Sequence, residues 1–239
     1  MRKMVMVFPI MLILISCAAR PPMTTEEYKT RPQLKESLFA SDNEVLSNEA
    51  IREILNSKIV LPEDCTIAVM KFPDKREKLN LSGGYYGYST VREDFQKTQQ
   101  EYLSVLIDSL QLSDRVSGVV VLPTLLTPES ITIPILREAA VRLQADLILV
   151  YRPETFVYDK FILFRSDKVK GYCTCEAVLL DVRTGIIPLT CIVSENFEGR
   201  KSKEDMDNDD MKRRAEKEAT LKALGSIGSQ VTEFIAKVE

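Results

Sequence analysis

No histidine occurs among the 239 residues, and that absence removes much of enzyme chemistry. Zinc hydrolase sites built on imidazole, Ser-His and Cys-His nucleophile pairs, haem held by His and His general bases are all excluded. The chain also has no Ser-x-x-Lys pair, no Gly-x-Ser-x-Gly elbow, no Walker-type loop and no Gly-x-Gly-x-x-Gly turn. Nor is its charge of one sign. The formal net charge is −3, and basic clusters such as Lys212-Arg213-Arg214 sit beside Glu and Asp, the pattern of a solvated helix face and not of a nucleic-acid surface. Carboxylates, Lys, Tyr and Cys are what remain for catalysis. The expectation is a non-catalytic chain without a cofactor, with a paired-carboxylate hydrolase left open because spatial pairing of acids is invisible in a sequence.

What is present begins at the N-terminus. Residues 1–3 make a basic start, residues 5–15 an unbroken apolar run, and Leu14-Ile15-Ser16-Cys17 closes it. The run is too short to span a bilayer and carries Pro9, so residues 1–16 read as a cleaved secretory signal. Its end resembles a bacterial lipobox, with small Ser16 before the cysteine. The resemblance to bacterial lipoproteins implies that Cys17 becomes the mature N-terminus, bearing a diacylglyceryl thioether and an acylated (palmitate-type) amine. Several acyl chains anchor stably where one alone binds reversibly. A plain signal peptide that happens to contain a cysteine is the alternative. Ala18-Ala19 stand where the inner-membrane retention signal of proteobacterial lipoproteins has Asp. Residues 18–25 contain no Asp or Glu, so the acidic surface-export run of some Bacteroidota lipoproteins is missing as well. The implied address is the outer membrane, with a lipid-anchored domain facing the periplasm.

Residues 17–46 read as the lipidated N-terminus and a flexible tether, because Arg20-Pro21-Pro22, Thr24-Thr25 and Arg31-Pro32 break any periodic pattern. Residues 47–239 are expected to form a single α/β domain, with no internal repeat and no second core. A short helix capped by Ser47 carries Ile51, Ile54 and Leu55 on one side. Residues 66–73 read as a strand stopped by proline. Residues 92–112 place Phe95, Tyr102, Val105, Leu106 and Leu110 at helical spacing. Residues 116–123, with four valines, read as a buried strand. Thr132 is the expected cap of a helix with Pro134 in its first turn, followed by an apolar strand over residues 146–151. Three more strands follow, at residues 156–164, 171–182 and 186–198, the last two joined as a hairpin through Thr184-Gly185. A long helix over residues 211–237 has a small-residue stripe of Ala215, Ala219 and Ala223. The fold class is therefore α/β, a three-layer mixed sheet packed by helices.

Three groups of residues invite a site. Residues 82–90 interleave Tyr85, Tyr86 and Tyr88 with three glycines, the composition of a recognition loop. The alternative is that the tyrosines cover an edge of the domain. Asp205, Asp207, Asp209 and Glu216 occupy positions 1, 3, 5 and 12 of an EF-hand-like loop, but Asp210 sits where that loop needs Gly and Arg213 replaces its ninth-position ligand. A solvated loop is the stronger reading, and no metal is expected. Cys65, Cys173, Cys175 and Cys191 read as buried small hydrophobes. If Val182 opposes Ile186, Cys191 falls opposite Ala177 and shares the face of Cys173 and Cys175. A Cys175–Cys191 disulfide thus depends on register.

Ile67-Ala68-Val69-Met70-Lys71-Phe72-Pro73, the helix-into-strand segment with Arg137-Glu138-Ala139-Ala140, Leu143 and Ala145-Asp146, and Leu179-Leu180-Asp181-Val182-Arg183-Thr184-Gly185 together resemble a family of envelope lipoproteins. It comprises the curli-secretion lipoprotein CsgG, the penicillin-binding-protein activator LpoB and the TolB N-terminal domain. The resemblance spans residues 66–238 as short patterns and implies a CsgG/TolB-N-like α/β domain. It implies a non-catalytic binding or scaffold module for an envelope machine of cell-wall synthesis, secretion or outer-membrane assembly. The expected partners are the membrane, through the anchor, and an envelope protein, with homo-oligomerisation as a possibility and no nucleic acid. The competing readings are an oligomeric export-channel subunit and a carboxylate-based envelope glycan hydrolase. Residues 113–132 lack the Arg-rich segment associated with these proteins. Residues 156–164, the one aromatic candidate for a membrane-spanning strand, are interrupted by Asp159-Lys160.

Overall fold

Alternation sends successive side chains of each strand to opposite faces, and helices cover one face of the sheet and part of the other. The computed structural model describes residues 47–73, 88–126, 131–160, 168–200 and 208–238. The chain divides into two units, Met1–Ser37 and Leu38–Glu239, of which the first lies outside the described residues. In the second unit the order is α1 (Asn48–Asn56), β1 (Cys65–Lys71), α2 (Tyr88–Leu110), β2 (Val116–Val121), a short 3₁₀ turn (Thr124–Leu126), α3 (Ile133–Arg142), β3 (Leu147–Lys160), β4 (Lys168–Asp181), β5 (Leu189–Arg200) and α4 (Asn208–Lys237).

The five strands form one sheet in the order β2-β1-β3-β4-β5. Pairing is parallel across β2-β1-β3 and antiparallel across β3-β4-β5. Ile67 and Val69 of β1, Leu147 and Leu149 of β3 and Leu179 of β4 point to one face, where Leu106 and Leu110 of α2 and Leu224, Ile227 and Val231 of α4 cover them. Ala68, Met70, Ile148, Val150 and Leu180 point to the other, under Leu136, Ala139 and Ala140 of α3. The result is the expected three-layer mixed α/β architecture.

The small stripe of α4 has a specific counterpart. Ala215, Ala219 and Ala223 are fully buried, and the helix backbone at Ala215 rests directly on Gly171 of β4. A second close approach joins α4 to α2, where Gly228 faces Ser109. At the far end of α4, Arg115 donates to the carbonyls of Ile235 (3.0 Å) and Val238, satisfying helix-end acceptors, and to that of Leu61 (3.3 Å) in the segment before β1.

The sequence expectations need correction at several points. Strand β2 is half-buried, not buried, because it is the edge of the sheet with a neighbour on one side only. Residues 147–160 are one strand, where two were expected, at residues 146–151 and 156–164. Phe72 donates its N–H to the Tyr151 carbonyl, so odd residues of β3 turn their backbone groups toward β1. Since β1 ends at Lys71, Pro153 faces a position without a neighbouring strand and gives up no ladder bond. Thr132 stands at the N-cap of α3 with Pro at the first turn, as expected, but its side chain makes no capping bond. Helix α1 forms directly after Ser47, whose carbonyl accepts the Ile51 N–H at 2.9 Å, yet its apolar side is exposed.

The same parity turns the even residues of β5 outward along the free edge of the sheet. Two of the outward carbonyls are occupied by cationic side chains of α4. Lys222 donates to the Asn196 carbonyl at 3.4 Å and Arg214 to the Arg200 carbonyl at 2.8 Å. Charged side chains on an edge discourage pairing with another strand.

Candidate functional site

The residues singled out by sequence fall unevenly on this frame. Cys17, Tyr85, Tyr86, Asp205 and Asp207 lie outside the described residues, and Tyr88 opens α2 with a side chain that is also outside them. Asp209 and Glu216 both sit on helical backbone in α4. Asp209 pairs with Lys212 at 3.6 Å, and burial raises the Glu216 carboxyl above its ordinary range. Among the described residues no three of Cys, Asp and Glu converge in a way that would hold a metal.

The four cysteines are free and buried. Ala177 lies opposite Cys191, the register the turn implied, and Cys173, Cys175 and Cys191 share the face covered by α4. Burial pushes the Cys175 thiol up to about 12, with the neighbouring Cys173 adding to it. Burial likewise raises Cys173, which is partly offset by the Thr220 hydroxyl, and Cys65 and Cys191. The same hydroxyl faces Tyr102, whose phenol burial pushes up to about 12. Neutral, desolvated thiols are poor nucleophiles and poor ligands, so this cluster is core.

The motifs that carry the family resemblance meet at one end of the sheet. Asp146 accepts the Thr66 N–H at 3.0 Å and the Arg183 guanidinium at 2.8 Å. Arg137 donates to the carbonyls of Val182 (2.9 Å) and Arg183 (2.7 Å). Asp181, almost fully buried, accepts the N–H groups of Arg183 (3.3 Å) and Thr184 (3.2 Å) and the Thr184 hydroxyl. Gly185 closes the turn at φ 76°, with the Arg137 side chain packed where a Cβ would stand. Arg137, Asp146, Asp181 and Arg183 are spent on holding β1, α3 and the β4-β5 hairpin together. The knot is structural.

The surface that offers itself for recognition is elsewhere, on the far half of the antiparallel sheet. Helix α3 covers the even-numbered face of β3 and β4 only at Ile148, Val150 and Leu180. Farther out, that face carries Arg152, Glu154, Phe156 and Tyr158 on β3, Lys170, Tyr172, Thr174 and Glu176 on β4, and Ile192, Ser194, Asn196 and Glu198 on β5. Register places Phe156 opposite Tyr172, and Glu176 opposite Ile192. Phe156, Tyr158 and Tyr172 are exposed, and Ile192 keeps 73% of its surface accessible. Several of the polar groups around them are matched. Arg152 pairs with Glu176 at 2.6 Å, Lys168 with Glu198 at 3.1 Å, and Thr174 shares a hydrogen bond with Ser194 at 3.0 Å. Lys170 lies 5.0 Å from the centroid of the Tyr172 ring. The hydrogen bond from Lys168, with its charge, lowers the Glu198 carboxyl below its usual range. Such a face offers area and aromatic contact. The period-2 alternation of residues 152–158 and 170–176 carries this signal in the sequence. Taking residues 146–151 and 156–164 as separate strands hid it.

No family model matches the chain, and no curated protein does. Among solved structures the chain is similar to the PelC dodecamer from Paraburkholderia phytofirmans, at 13% identity over 73% of this chain and 93% of that one, with a TM-score of 0.34. It is similar to a minor lipoprotein from Acinetobacter baumannii, at 10% identity over 72% and 91%, with a TM-score of 0.32. It is also similar to the lipoprotein GNA1162 from Neisseria meningitidis, at 12% identity over 72% and 98%, with a TM-score of 0.32. These likenesses are too distant to assign a family. What the structure itself defines is a mixed-sheet α/β/α sandwich with one antiparallel face not covered by the described helices.

Proposed function

We propose that the chain is a non-catalytic outer-membrane lipoprotein, anchored through Cys17, whose periplasm-facing domain binds a protein of an envelope machine on the open face of β3-β4-β5. The observation that carries the binding role is that face. Antiparallel sheets often leave one side to water, and the side is then polar. Here Phe156, Tyr172, Tyr158 and Ile192 stay exposed among charges that already satisfy one another. Aromatic anchors ringed by matched polar groups are the anatomy of a protein-binding patch. The anchoring role is carried by Leu14-Ile15-Ser16-Cys17 at the end of the apolar run.

Crosslinking in intact cells tests the binding role. The double variant Tyr172→Ser, Ile192→Ser removes two exposed side chains at little cost to folding. It should reduce capture of the partner at least about tenfold, the effect of losing ~1.4 kcal/mol of binding, with an unchanged melting temperature. Undiminished capture would remove the face from the proposal and pass the role to Tyr85, Tyr86 and Tyr88, which replacement by Ser tests in the same assay. The anchor is tested separately. Each buried acyl CH₂ contributes about 0.8 kcal/mol, so Cys17→Ala should move the protein almost entirely out of the high-salt-washed membrane fraction. Retention there would sink the lipoprotein reading.

A further inference from the structure

Helix α1 presents its apolar side outward. At 100° per residue Ile51, Ile54 and Leu55 fall within about a third of the helix circumference, and Glu49, Arg52 and Glu53 occupy the opposite side. This amphipathic design is one that a domain normally buries. Yet Leu55 keeps 78% of its surface accessible, Ile51 and Ile54 are exposed, and Val60 just beyond the helix keeps 71%.

We propose that α1 is an interfacial helix, and that its apolar side rests in the surface of the bilayer to which the chain is anchored. The inference rests on the lipoprotein reading above. Its argument is one of position. Helix α1 is the first described element after residues 18–46, the segment that leads from Cys17. If those residues are the flexible tether their sequence implies, their root-mean-square span would be about 30 Å, which would keep α1 close to the membrane. Under that tether even a weak interfacial helix stays seated, because its binding is effectively intramolecular. The chemistry sets the mode of contact. The polar side has two Glu against one Arg, so no attraction to anionic headgroups is on offer. Ile51, Ile54 and Leu55 enter the headgroup and acyl boundary by apolar burial alone. The contact is therefore insensitive to salt and needs no anionic lipid.

The chain has no tryptophan, so Leu55→Trp supplies a single reporter at a site exposed enough to accept it. The probe is the lipidated full chain reconstituted in phosphatidylcholine vesicles with and without bromine on the acyl chains. The expected result is blue-shifted emission, quenched by about half in the brominated vesicles and equally so in low and high salt. Adding Ile51→Asp should abolish the quenching while the protein still sediments with the vesicles. Unquenched, water-like emission from protein that does sediment would overturn the inference and leave the anchor standing. Protein that fails to sediment would overturn the anchor reading, and the inference with it. Emission already blue-shifted before vesicles are added, and unaffected by bromine, would show α1 covered by protein, either this chain or a second copy, and would also overturn the inference.

Discussion

Replacing Gly171 by Ala should lift helix α4 from the sheet. A Cβ at that position would stand 2.2 Å from the Ala215 carbonyl oxygen, 2.4 Å from its carbonyl carbon and 2.9 Å from the Glu216 nitrogen. Ordinary non-bonded contact begins at about 3.5 Å, so the helix must move by roughly 1 Å. The obstacle is main chain in the middle of a thirty-residue helix, not the tip of a flexible side chain. A radial gap of that size forfeits a quarter to a half of the dispersion energy at each contact it opens, here among Val169, Met211 and Ala215. Overpacking of this kind costs about 1–3 kcal/mol, and rigid backbone puts the cost at the upper end. Alanine in a strand interior regains ~0.5–1 kcal/mol over glycine in conformational entropy. The net expectation is a loss of about 2 kcal/mol, which for a domain of this size lowers the melting temperature by about 4–8 °C. Urea denaturation of soluble protein lacking residues 1–17 measures it. Gly118→Ala is the control, since a Cβ there meets only Thr66 at 3.8 Å, and it should be neutral or slightly stabilising. If Gly171→Ala unfolds within ~0.5 kcal/mol of the parent, the helix does not rest on β4 as described.

Two further expectations use the same protein. A Cβ at Gly228 would lie 2.4 Å from the Ser109 Cβ, so Gly228→Ala should destabilise by ~1–3 kcal/mol although alanine favours a helix. Ser109→Gly should recover most of that loss, and a double-mutant coupling energy near zero would contradict the α2-α4 contact. The second concerns alkali. Cys175 and Tyr102 are both pushed up to about 12, from 9.0 and 10.0. The folded chain keeps these protons where the unfolded chain releases them, so their stability contribution is full below about pH 9 and is lost as pH rises toward 12. Urea midpoints should fall between pH 9 and 11, and Cys175→Ala should flatten the decline. A flat profile for the parent would contradict thiols held neutral by burial.

The sequence was most legible where a local rule had no competitor. The unbroken apolar run at residues 67–70 and the alternation in residues 171–182 appear as strands, and the structure has Ala177 against Cys191, the register that follows if Val182 opposes Ile186. The helical spacing of Leu106 and Leu110 and the small stripe at Ala215, Ala219 and Ala223 likewise appear in the core. What failed depended on which strands are neighbours, and no local pattern encodes that. Residues 147–160 read as two strands while the neighbours of β3 are unknown, and the four valines of β2 read as buried only if a strand flanks each side. The open face was missed for the same reason. Its polar alternation is plain in residues 152–158, but its being uncovered depends on α3 ending over Val150 and Leu180.

The cationic plugs on β5 bear on how this protein can associate. Lys222 and Arg214 already occupy carbonyls along that edge, whereas β2, at the other end of the sheet, ends in uncharged Val119-Val120-Val121. A sheet that accepts a new strand on either margin can add copies without limit and grow into a fibre. One that accepts a strand on a single margin stops at two, because the copy that joins through its own β2 has used the only margin it had. By occupying carbonyls of β5, α4 disfavours strand addition on that margin and leaves β2, among the described residues, as the margin at which a copy would add.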